Sequence, residues 1–138
     1  MPNWCYNSVE VTPLTPENAK ILEKATDVGL LNTYVPIPSE DNENWYDDRC
    51  NAWGTKWDIT EAYVEVNDNG LVMQFDTAWA PPIAGIQTIS KAYPDATFYG
   101  EYSEPGMCFA GEYVIKNGEM LSSVEREYDP EYEEGEEE

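Results

Sequence analysis

Two runs of period two, joined by one turn, constrain this chain more than any other feature. Ala62, Val64 and Val66 alternate with Tyr63 and Glu65, and Leu71, Met73 and Phe75 alternate with Val72, Gln74 and Asp76. Successive side chains of a strand point to opposite faces, so this spacing marks strands with one buried face. Asn67-Asp68-Asn69-Gly70 separates the runs. Those are turn residues, with Gly70 expected where the turn wants a positive φ. The spacing predicts an antiparallel hairpin from Thr60 to Asp76.

The same logic places a strand near the start. Cys5, Asn7, Val9 and Val11 alternate with Tyr6, Ser8, Glu10 and Thr12, and Pro13 ends the run. Thr15-Pro16-Glu17 then reads as a helix start, with a side-chain cap, a proline at the first helical position and an acid in the first turn. The helix is expected from Pro16 to Val28, with Ile21, Leu22, Ala25 and Val28 as its apolar stripe and Gly29 as its cap. Residues 30–57 show no sustained period and read as a long loop that carries function or packs as a lid. After the hairpin, Pro81-Pro82 opens a second helix with Ile83, Ile86, Ile89 and Tyr93, ending before Pro94. Strands are expected from Ala96 to Tyr102 and from Met107 to Lys116, with Gly111 as a bulge. Asn117-Gly118 is a type I′ turn signal, and Glu119 to Ser123 returns as a short edge strand.

Without the loop, the order is β-α-β-β-α-β, the split βαβ pattern of the ferredoxin-like fold. An antiparallel sheet with two helices on one face buries every apolar stripe, and a C-terminal hairpin extends the sheet. The second sheet face is then free or covered by the 30–57 loop. At 138 residues one domain is expected. It is assigned to 1–124, with 125–138 as an acidic disordered tail.

Charge is the compositional outlier: 28 acidic residues face seven basic ones, a net of −21 with no histidine. The tail holds a net −8, which leaves −13 on residues 1–124. A body this acidic lacks the cations that a phosphate backbone requires, so direct nucleic-acid binding is not expected. A basic partner, or mimicry of a polyanion, is. Cys5, Cys50 and Cys108 are widely spaced and odd in number. Without histidine they make neither a zinc site nor a Cys–His pair, and they read as free thiols in a reducing compartment. Asp41, Asp47, Asp48 and Asp58 follow no calcium-loop spacing. No metal, no cofactor and no catalytic group is expected. The chain has no signal-peptide pattern and no apolar run of membrane length, and is expected in the host cytoplasm.

Three short motifs stand out: Met1-Pro2-Asn3-Trp4-Cys5 with Asn7, then Trp53-Gly54-Thr55-Lys56-Trp57, then Phe75 with Thr77-Ala78-Trp79 and Pro81-Pro82. Together, and in this order, they resemble the YubB-like ferredoxin-like-domain proteins of phages and plasmids. The resemblance implies a ferredoxin-like α+β fold without an iron–sulfur cluster and an origin on a mobile element. It implies no activity, and the tail from Glu125 lies outside it.

The candidate binding residues are Trp4, Trp53, Lys56, Trp57 and Trp79. Their indoles either pack as a minicore under the loop or line a partly open cleft for a peptide or base. Lys56 either lies over an indole face or pairs with a carboxylate, or else binds an anion at a cleft, where Arg49 could act with it. Tyr63, Tyr99 and Tyr102 fall on strands, as in RNA-reading sheets, but no basic strand motif accompanies them. The function expected is a non-enzymatic accessory protein of a phage or plasmid. It is expected to bind a host protein, such as a defence or replication factor, through a basic, nucleic-acid-binding face of that partner. The alternative is a small-molecule or peptide-binding module built on a tryptophan-lined cleft.

Overall fold

The computed structural model describes residues 4–36, 45–55, 58–59, 61–78, 80–105 and 108–127, with backbone alone at 45–48. Their order is β1 (Trp4–Thr12), α1 (Pro16–Val28), α2 (Leu30–Tyr34), α3 (Trp45–Trp53), β2 (Tyr63–Val66), β3 (Leu71–Ala78), α4 (Ile83–Ala92), β4 (Thr97–Glu104), β5 (Phe109–Lys116) and β6 (Glu119–Glu127). The strands form one antiparallel sheet in the order β2-β3-β1-β4-β5-β6. β3 lies between β1 and β2, which is the split βαβ arrangement, and the β5–β6 hairpin extends the sheet beyond β4. The fold is ferredoxin-like, α+β.

β1 is the central strand, and its alternation sorts the whole sheet. Val9 and Val11 are fully buried with Met73 and Leu71 opposite them on β3. Phe98 of β4 joins them, with Leu22 of α1 and Ile86 and Ile89 of α4 also buried in this core. Burying side chains of this size contributes roughly 1.5–3 kcal/mol each. Tyr6, Ser8 and Glu10 point the other way, onto an open face.

α1 runs over the residues expected, with the Asn18 N–H donating to Thr15 Oγ1 at 3.1 Å. Its buried stripe differs. Ala19, Leu22, Ala25 and Thr26 face the sheet, whereas Ile21 and Val28 are exposed. Each residue rotates the helix by about 100°, so a stripe centred on Leu22 carries Ile21 and Val28 off the core side.

The stretch expected to be a loop, 30–57, contains two helices. The five-residue α2 is held from outside: the Asp58 carboxylate accepts from the N–H groups of Leu31 at 2.7 Å and Asn32 at 3.1 Å. A carboxylate there satisfies orphan donors and opposes the positive end of the helix dipole. The Leu30 N–H donates to Ile59 O at 2.9 Å. Both partners are remote in sequence, so the local pattern carries no trace of this helix.

The 60–76 hairpin forms, with β2 as a short edge strand. Val64 is half-buried and Val66 exposed, so its expected inner face is only partly covered. Gly70 does not have the positive φ expected of it. Glycine is required because a Cβ would collide with the Val11 carbonyl, where the turn crosses β1. Asn67 Oδ1 shapes the turn, accepting from the N–H groups of Asn69 and Gly70 at 2.9 Å. Asn117 and Gly118 both have positive φ, as a type I′ turn demands.

The bulge expected at Gly111 lies instead between Val114 and Ile115. Gly111 faces Tyr102 and Gly100 faces Tyr113, and each tyrosine ring occupies the space a Cβ would take. Tyr102 then donates to Glu125 Oε2 at 2.9 Å. β6 therefore runs to Glu127, past the Ser123 end expected of it and into the segment assigned to the tail. Residues 128–138 lie outside the described residues.

Asp58→Ala should lower unfolding free energy by about 1–2 kcal/mol, because it uncaps α2 and releases Ile59. Urea titration checks this; an unchanged midpoint would remove Asp58 as the tether.

Candidate functional site

The described residues of the three distinctive motifs converge at one end of the sheet, where β1 starts and β3 ends. Asn7 Nδ2 donates to Thr77 Oγ1 at 2.9 Å and to Cys5 O at 3.0 Å, all buried. Thr77 Oγ1 donates to Ala80 O at 2.7 Å, and Thr55 Oγ1 to Ala78 O at 2.8 Å. Gly54, at φ +89, brings its backbone against Pro81 and Ile83 at the start of α4. These residues form a joint between sheet and helices.

Trp53 belongs to that joint. It is 1 % exposed, and its indole Nε1 donates to Val35 O at 2.9 Å. The Arg49 guanidinium lies 5.1 Å from its ring centroid. Trp4 stands on the opposite side of the sheet, on the open face, and is 41 % exposed. The two indoles therefore share neither a minicore nor a cleft, because an odd–even step along β1 puts Trp4 away from the helices. Lys56, Trp57 and Trp79 lie outside the described residues. So does Asp41, and of Asp47 and Asp48 only the backbone is described. Asp58 is the α2 cap. Among the described residues no cluster of three or more carboxylates and thiols could hold a metal ion.

The arrangement that does present itself to a ligand is the open face. A trough of about 1040 Å³ crosses it. Ser8, Ser103 and Ala110 make a floor of small side chains, and Tyr6 and Tyr63 rise beside it. Tyr63 is 64 % exposed, Tyr6 51 % and Tyr99, on the next row, 45 %. Glu61, Asp76, Glu101 and Glu112 line the trough against a single lining cation, Arg126. Tyr102 does not belong to this face. It is buried on the helix side, its ring 6.0 Å from Phe109 and 6.2 Å from Tyr113.

Tyr6 carries a legible signal, since it alternates with Cys5 and Asn7. Glu101 and Glu112 become neighbours only through the β4–β5 register, which no local window displays. The surface is acidic, aromatic and shallow. It offers acceptors and ring faces to a cation.

The thiols divide by position. Cys5 is fully buried, and desolvation pushes its pKa up from 9.0 to about 12, with the Thr77 hydrogen bond opposing and the charges of Glu104, Asp76 and Glu125 adding. Cys108 is exposed. Burial also raises the phenols of Tyr34, Tyr102 and Tyr113, helped at Tyr34 by Tyr93 and at Tyr102 by Glu125.

A family model for the ferredoxin-like domain in Api92-like proteins matches residues 52–138. The crystal structure of protein Api92 from Yersinia pseudotuberculosis is similar at a TM-score of 0.59 and 18 % identity. That likeness covers 72 % of this chain and 40 % of that one, so this chain spans less than half of it. At that identity the likeness bears on fold alone. A search of curated proteins found no match.

Trp53→Ala should cost roughly 3–5 kcal/mol, as a fully buried aromatic does, while Trp4→Ala should stay within about 0.5 kcal/mol. Chemical denaturation of both variants checks this; equal effects would contradict the two-sided placement. Folded-state pKa values above their unfolded ones mean the native state holds protons more tightly. The stability from Cys5 and these phenols is thus complete below pH 9.0 and declines as pH climbs from there towards about 12 and beyond. Alkylation at neutral pH should label Cys108 quickly and Cys5 only on unfolding; rapid Cys5 labelling in the native state would contradict its burial.

Proposed function

We propose the following for this chain, which belongs to the Api92-like family of proteins with a ferredoxin-like domain: it is a non-enzymatic accessory protein that binds a basic surface of another protein through the open face of its sheet. The observation that carries this is the combination of exposed Tyr6 and Tyr63 with four carboxylates around one trough, and of exposed Tyr99 on the same face. Exposed aromatic groups supply contact area at low entropic cost, and the carboxylates steer a cationic partner and repel anionic ones. The net charge of −21 extends that steering to long range. Nucleic-acid phosphates are repelled by the same field, which favours a protein that itself handles nucleic acid, such as a defence or replication factor.

The finer kinship with YubB-like proteins, and with it a phage or plasmid origin, rests on the three motifs, of which Asn7, Thr55 and Thr77 contribute to the joint between sheet and helices. Among the described residues no helix is long and apolar enough to cross a membrane. The host cytoplasm is the compartment this reading requires.

Asp76→Lys with Glu101→Lys should abolish capture of the partner from a host extract while the melting curve stays near that of the wild type. Wild-type capture should also weaken as salt rises from about 0.05 to about 0.5 M, where screening shortens below 10 Å. Capture that survives both the charge reversal and the salt would overturn the open-face reading.

A further inference from the structure

On the open face, Glu101 of β4 stands directly opposite Glu112 of β5, and both are exposed. Side chains directly opposed in an antiparallel pair have Cβ atoms about 4.5–5.5 Å apart, and like charges there are destabilising. The remaining direct neighbours do not relieve this. Glu101 faces Ser8 on its other side, and Glu112 faces Val124. Elsewhere on the face the sheet follows the usual rule: Lys116 is opposite Thr97 and Glu119. Arg126 is one pair further along, opposite Ala110.

Two exposed rings flank the carboxylate pair. Tyr99 precedes Glu101 by two residues on the same face of β4, and Tyr6 lies opposite Ser103, two residues after it. Ser103, the next residue on this face of β4, has a small, half-buried side chain that lines the trough beside the pair. Two acceptors side by side, with a ring on either hand, match the planar fork of a guanidinium. It can donate to both carboxylates while its face lies on a phenol ring. A lysine ammonium brings the charge but neither the fork nor the stacking plane.

We propose that this face reads arginine: Glu101 and Glu112, between Tyr99 and Tyr6, take the guanidinium of an arginine presented on an extended segment of a partner protein. The inference rests on the reading of the open face as the docking surface for a basic partner, and it names what that partner must carry. A second copy of the chain is a poor occupant, because it brings the same acidic face. A nucleic acid brings phosphates to carboxylates.

The test uses the full chain and two fluorescent peptides of identical length in Gly and Ser, one carrying four arginines and the other four lysines. Anisotropy titration should show the arginine peptide binding about tenfold more tightly. Glu101→Gln with Glu112→Gln should remove that preference and also raise the melting temperature, since it relieves the like-charge pair. Tyr6→Leu with Tyr99→Leu should bring the two peptides to parity while leaving weak, salt-sensitive binding of both. Equal affinity of the two peptides for the wild type would overturn the inference. So would an arginine preference untouched by the glutamine pair, or a fluorescent single-stranded DNA that binds as well as the arginine peptide. If the preference is absent while Asp76→Lys with Glu101→Lys still abolishes partner capture, the docking surface stands and only arginine selection falls. If partner capture ignores the charge reversal, both fall.

Discussion

The fold depends on one strand being hydrogen-bonded along both edges. β1 pairs with β3 on one side and β4 on the other, so neither its register nor its facing can shift without breaking two ladders. Slippage by one residue would send Val9 and Val11 to solvent and Tyr6 and Glu10 into the core. That penalty holds every open-face residue in place. The helices cover one face because only there does the central strand present apolar side chains. The other face carries polar and aromatic groups among a few aliphatic ones such as Val72, Val114 and Val124, and acidic residues collect there.

The Asn7–Thr77 and Thr55–Ala78 hydrogen bonds lock the end of this arrangement. Buried polar groups are costly unless satisfied, so such a joint is sensitive to each partner. It explains why short motifs far apart in sequence belong together. Their described residues meet at the place where β1, β3 and the packed ends of α3 and α4 must fit. The tryptophan that stands out most among them, Trp53, is buried in this joint.

Much of this was legible in the chain. The 60–76 hairpin, the bounds of α1, the Asn117-Gly118 turn and the ferredoxin-like order all follow from period, caps and turn chemistry acting locally. What was not legible came from distant partners. α2 takes its cap from Asp58, Gly70 is required by the approach of Val11, and β6 is lengthened by pairing along β5, with Tyr102 reaching Glu125. The candidate site divides in the same way. Alternation along β1 already separates Trp4 and Tyr6 from the core. The opposition of Glu101 and Glu112 needs the register of two strands, and the separation of Trp4 from Trp53 needs the position of α3 as well.

The central claim is that the open face, and not the helical layer, is the working surface. Chemical-shift mapping of the full chain titrated with a basic, arginine-containing peptide tests it most directly. Shifts should be confined to the open face, with Tyr6, Tyr99, Glu101, Ser103 and Glu112 moving and Leu22, Trp53 and Ile89 unmoved. Shifts centred on Trp53 and the helices, with Tyr6 and Tyr99 unchanged, would contradict the account.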